Sequence, residues 1–127
     1  PDMVPLPRYC NIGGIPVSHF LDRHSIARLS EHTRRAGDTV TELLERSSSY
    51  YGPAAAVAAV AEAIVYDTRA IVCLSVVLNS QYGLSGIAMS LPVILGKQGV
   101  VKILEPELTR DERRRLVTAA GAGASAE

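Results

Sequence analysis

The run Ser47-Ser48-Ser49-Tyr50-Tyr51-Gly52-Pro53 gathers hydroxyl groups immediately ahead of a strongly apolar stretch. A helix start presents backbone N–H groups that have no acceptor within the helix, so a joint of this kind is a ready ligand site. Tyr50 and Tyr51 suit either stacking on a ligand or packing at the helix entry. The other side chains capable of chemistry are scattered. His19 closes a loop, while His24 and His32 sit two turns apart on one predicted helix. No carboxylate–histidine–nucleophile grouping and no metal-ligand spacing surrounds any of them. They read as surface histidines, and neither a catalytic residue nor a metal site is expected in this chain.

Two glycine patterns imitate nucleotide sites. Gly121-Ala122-Gly123-Ala124-Ser125-Ala126 fits the loose dinucleotide fingerprint, but a helix precedes it where a strand is needed. Residues 121–127 therefore read as a flexible tail. Gly96-Lys97-Gln98-Gly99 lacks the Walker spacing and reads as a hairpin turn. Arg34-Arg35 and Arg113-Arg114-Arg115 each have acidic neighbours, which marks solvated helix faces.

Composition narrows the class. The 127 residues carry 13 basic and 13 acidic side chains, so no charge excess favours nucleic acid or an anionic membrane. A hydrophobic fraction of 47% supports one folded domain over residues 1–127. Cys10 and Cys73, far apart among apolar neighbours, read as buried thiols of a reducing, cytoplasmic setting. The most apolar run, residues 53–65, is shorter than the roughly 20 residues that span a bilayer.

The elements that would position these residues follow from periodicity. Two glycines and Pro5, Pro7 and Pro16 in residues 3–16 predict an edge strand and loop. Ile26, Leu29, Thr33, Ala36, Val40, Leu43 and Leu44 recur at helical spacing, with Asp22 or Ser25 as N-cap. Gly37 inside this helix predicts a kink or close packing. A second helix is expected to start near Pro53. Residues 54–61 hold nothing polar, which predicts cover on every side, at the centre of the domain or of a subunit interface. Residues 70–78 predict a strand buried on both faces. Further strands over 87–95 and 100–104 make a set of antiparallel hairpins. Thr109-Arg110-Asp111-Glu112 is a capping box opening a last helix. The fold class is α+β, with long helices packed on antiparallel hairpins.

Taken in order, these segments resemble the C-terminal, substrate-side domain of the lactate and malate dehydrogenase family, in its malate branch. Asp2-Met3-Val4-Pro5-Leu6-Pro7-Arg8 is similar to the end of the family's G-x-H-G-D-x-M-V-P-L-x-R. Ser47-Ser48-Ser49-Tyr50-Tyr51-Gly52-Pro53-Ala54-Ala55 resembles G-S-A-Y-Y-A-P-A-A. Gly13-Gly14-Ile15-Pro16-Val17, Arg34-Arg35-Ala36-Gly37, Tyr82-Gly83-Leu84-Ser85 and the stretch 91–100 follow at family spacing.

The resemblance implies an NAD-dependent oxidoreductase interconverting malate and oxaloacetate, acting as a homo-oligomer. It places Ser48 and Ser49 beside the substrate and Pro53 against the nicotinamide. Ser49 departs from the usual alanine, and Pro1 stands near the place of the motif's aspartate. The proton-exchanging histidine, the carboxylate-clamping arginine and the nucleotide fold belong upstream of the matched residues. The expectation is therefore a chain inactive by itself. Two alternatives remain: a non-catalytic self-association or regulatory domain of the family, and a lactate-type 2-hydroxyacid specificity.

Overall fold

Two glycines in the left-handed region make the first turn. Gly13 (φ +59°) and Gly14 (φ +85°) join β1, Asn11–Ile12, to β2, Ile15–Pro16, and the two strands pair antiparallel. A two-residue hairpin needs positive φ at both central positions to match strand twist, and glycine takes it without strain. The computed structural model describes residues 3–43 and 50–124, with side chains to residue 121. The chain divides into two compact units, Pro1–Ser49 and Tyr50–Glu127.

The first unit continues into α1, Arg23–Leu43. Asp22 is its N-cap: the Ser25 N–H donates to Asp22 Oδ1 at 2.7 Å. That bond holds the Asp22 carboxyl below the usual carboxylate range. The helix runs through Gly37 unbroken, and a Cβ there would meet nothing within 4 Å. The expected close packing at Gly37 is therefore not found; a 21-residue helix absorbs the weak helix propensity of one glycine. Periodicity predicts the helix, but its apolar stripe is mostly bare and the half-buried positions are Ser25, Ile26, Ser30 and Arg34. Ile26 is half-buried, whereas Leu29, Val40 and Leu43 are exposed. Leu44 and Ser47 lie outside the described residues.

The second unit is helix, three strands and helix. α2 spans Tyr51–Val65, β3 Ala70–Asn79, β4 Ser85–Gly96, β5 Gly99–Ile103 and α3 Arg110–Ala124. The sheet is antiparallel in the order β3-β4-β5. Its register sets Val72 opposite Val93 and Val93 opposite Ile103, with Leu74 opposite Leu91. Leu78, Leu91, Val93 and Leu95 are buried on one face, and Ala63 of α2 and Ala120 of α3 are buried with them. Both helices pack on β4. The α+β class and the run of hairpins stand as the sequence predicts.

Three expectations fail, all in the same direction. β3 alternates instead of being covered on both faces: Ile71, Cys73, Ser75 and Val77 are exposed while their neighbours turn inward. Helix α2 is not at the centre of the domain, since residues 54–59 are exposed and only Ala63 is buried, which leaves the subunit-interface alternative untouched. Neither Cys10 nor Cys73 is buried; both thiols are free and exposed. An apolar run reports that a surface prefers cover, not that this chain supplies it. At the far end α3 continues helically through Gly121 to Ala124, beyond the point where the sequence predicts fraying.

Candidate functional site

Helix α2 begins at Tyr51 with Tyr50 as its N-cap residue, and among the described residues no side chain caps it. Its first intrahelical bond runs from the Ala54 N–H to the Tyr50 carbonyl at 2.9 Å. The Tyr51 and Gly52 N–H groups ahead of it therefore lack acceptors within the helix. Pro53 is the third helical residue, two places later than the preferred first position, and it still removes only a donor that would be orphaned there. No acidic residue occupies this first turn, so the positive end of the helix dipole is not neutralised locally. Tyr51, at 92% exposure, and Pro53 leave this end open. Ser48 and Ser49, the other two candidate binders, lie outside the described residues.

The opposite end of α2 is tied down. Asp67, at φ +49°, takes the left-handed conformation that stops the helix, and the Thr68 N–H returns to the Ala63 carbonyl at 3.1 Å. The Asp67 carboxylate then reaches the β4–β5 turn, where Oδ1 accepts the Lys97 N–H at 2.8 Å. Arg69 Nε stands 3.0 Å from the same oxygen. These contacts, led by the Lys97 N–H, lower the Asp67 pKa. A Cβ on Gly96 would come within 2.7 Å of Asp67 Oδ1, so only glycine allows this approach. Sequence reasoning passed over Asp67. Its signal was an aspartate at a helix-to-strand junction, a residue type that tolerates left-handed backbone.

A second clasp holds the β3–β4 connection. Tyr82, at φ +53°, donates its N–H to Glu105 Oε2 at 3.0 Å and its hydroxyl to the Pro106 carbonyl at 2.8 Å. Its own carbonyl accepts from Arg113 Nη2 at 3.1 Å.

The remaining candidates separate from this site. His19, His24 and His32 are exposed, and none is hydrogen-bonded to a carboxylate among the described residues. No group of His, Cys, Asp and Glu could hold a metal there. Within the first unit, Leu21, Ser25, Arg28, Leu29 and His32 line an open depression of about 330 Å³ along α1. Arg35 faces Glu31, and Arg114 and Arg115 pair with Asp111, as expected of solvated faces, whereas Arg34, also beside Glu31, is half-buried. No described helix is long and apolar enough to cross a membrane.

Comparison with known proteins gives this geometry a context. Residues 2–122 match the lactate/malate dehydrogenase, alpha/beta C-terminal domain. A malate dehydrogenase of Geobacillus thermodenitrificans is 43% identical over 115 residues, which are 91% of this chain and 37% of that protein. The solved malate dehydrogenase from Salinibacter ruber superposes with a TM-score of 0.92 at 39% identity, covering 98% of this chain and 40% of that one. The lactate dehydrogenase from Cryptosporidium parvum gives 0.90 at 35% identity, over 98% and 43% of the two chains. The chain thus spans well under half the length of the relatives it matches. A two-strand hairpin, two long helices, three antiparallel strands and a capped last helix, matched over residues 2–122, make this chain a member of the lactate/malate dehydrogenase family, in its alpha/beta C-terminal domain.

Proposed function

We propose that this chain is the substrate-side wall of an NAD-dependent malate dehydrogenase, and that α2 also serves as a contact surface between subunits. The observation that carries the reading is the start of α2, which no described side chain caps, with Pro53 in its first turn four residues after Ser49. The residues there fit a nicotinamide and a small dicarboxylate. Pro53 offers an exposed apolar ring, the adjacent N–H groups favour negative charge, and Ser48 and Ser49 add hydroxyl donors. When bound, NAD supplies the acceptor for the hydride leaving C2 of malate.

What these residues do is bind and orient. Ser48 and Ser49 hydrogen-bond substrate oxygens, Pro53 excludes water from one side of the ring, and the helix dipole steadies the carboxylate. The hydroxyl proton goes to a base outside residues 1–127, since His19, His24 and His32 have no carboxylate partner among the described residues. The isolated chain is accordingly inactive, and the working protein is a cytoplasmic homo-oligomer. The malate preference is supported by relatives named malate dehydrogenase at about two-fifths identity.

The test is to fuse residues 1–127 in frame behind the nucleotide-binding part of the Geobacillus relative and follow NADH oxidation. The chimera is expected to turn over oxaloacetate far faster than pyruvate, while the chain alone turns over neither. A folded chimera without activity, or one preferring pyruvate, would overturn the assignment.

A further inference from the structure

The geometry points to Asp67 as a positioning residue for the proposed reaction. Its clasp on the β4–β5 turn sets the direction of α2, and so the place of Pro53 and the open N–H groups at the far end of that helix. The role rests on the dehydrogenase reading of Pro53 and deepens it.

Among the described residues, the contact between α2 and the sheet is confined to the last turns of the helix. Residues 51–59 are exposed, whereas Val60 and Ile64 are half-buried and Ala63 is buried. Apolar burial is non-directional, so these neighbouring side chains fix where α2 touches the sheet but not the angle at which it leaves.

The directional restraint is polar. The Thr68 N–H bonds to the Ala63 carbonyl and the Asp67 N–H to the Ile64 carbonyl, which couples Asp67 to the helix end. From there Oδ1 accepts the Lys97 N–H at 2.8 Å and lies 3.0 Å from Arg69 Nε, while Oδ2 accepts from Arg69 Nη2 at 3.4 Å. Lys97 belongs to the turn between β4 and β5, so one carboxylate joins helix to sheet. The turn is shaped to receive it. A Cβ on Gly96 would stand 2.7 Å from Asp67 Oδ1, 3.0 Å from Val101 Cγ2 and 3.1 Å from Arg69 Nε.

Helix length makes this a lever. Pro53 precedes Ala63 by ten residues, roughly 15 Å of helix at the usual rise. A tilt of about 4° at the clasp moves Pro53 by about 1 Å, a misplacement that can cost about 100-fold in rate.

The experiment has a structural arm and a kinetic arm. In the 127-residue chain carrying Cys10→Ser and Ala54→Cys, spin labels at exposed positions 54 and 73 report the distance from sheet to helix start by double electron–electron resonance. Asp67→Gly removes the carboxylate and keeps the left-handed backbone unstrained. Gly96→Ala leaves Asp67 in place and displaces its carboxylate from the sheet side; the Gly96 φ is not positive, so the backbone accepts alanine. Each change should make the distance distribution about twice as broad. In the chimera described above, each should lower kcat for oxaloacetate about fivefold or more, while the KM for NADH, set mainly by the nucleotide-binding part, stays within about twofold. Asp67→Asn keeps an oxygen for the Lys97 N–H and should restore both readouts. Distributions unchanged by Asp67→Gly and Gly96→Ala overturn the proposal. So does a broadened distribution with kcat intact, a rise in NADH KM that matches the loss of kcat, or an Asp67→Asn protein no better than Asp67→Gly. An unsubstituted chimera without activity defeats the dehydrogenase reading; an active one that ignores both substitutions defeats this role alone.

Discussion

Asp67 shows how one side chain can fix the far end of a helix whose near end borders the candidate site. Its carboxylate gathers the Lys97 N–H and Arg69, and the low pKa follows from those partners, the backbone donor first. The sign of the pH effect is determined by that shift. A carboxyl with a depressed folded pKa stabilises the native state above its unfolded pKa of about 3.9, and loses that contribution as pH falls through the lower folded value. Urea unfolding of the 127-residue chain between about pH 6 and pH 3 should therefore show a loss of stability that is smaller in Asp67→Ala. Equal slopes in the two proteins would remove Asp67 from the account. None of this was legible beforehand, because the partner lies thirty residues away at a turn whose approach only the folded backbone reveals.

Elements were easier to read than their surroundings. The capping box at Thr109 forms as the sequence predicts: the Thr109 N–H donates to Glu112 Oε2 at 2.8 Å, and the Glu112 N–H to Thr109 Oγ1 at 3.2 Å. Asp22 caps α1 for the same local reason. Such signals need only a few neighbouring residues, so they survive in sequence. Thr109→Ala should cost about 1 kcal/mol, read as a lower urea midpoint at unchanged slope. No shift in midpoint would mean that α3 is held by packing alone. By contrast, Cys73 and Val77 were placed inside because β3 is apolar at nearly every position, and the alternation that exposes them is not written in residue type. The candidate site was legible only in part: Pro53 sits in the first turn of α2 as expected, though the helix starts two residues earlier.

At the scale of the whole molecule, the apolar residues left bare set its behaviour. Along α2, Val57 and Val65 are about 70% exposed, and Tyr66 beside them is 73% exposed. Contiguous apolar surface of this kind marks interaction sites. Ala58→Glu places a charge on the exposed face without disturbing buried Ala63, so helix content should hold. If α2 is a subunit contact, this change should lower the oligomer mass of the chimera in light scattering; an unchanged mass would assign α2 another neighbour. The two turns described earlier differ in what they would tolerate. Between Gly13 and Gly14 an inserted tag or fluorophore meets open space, since no atom lies within 4 Å of either added Cβ. At Tyr82 the same graft would sever bonds to Glu105, Pro106 and Arg113 together. The short hairpin is thus the natural attachment point for a reporter, and the tyrosine knot is the place where the polypeptide should never be cut.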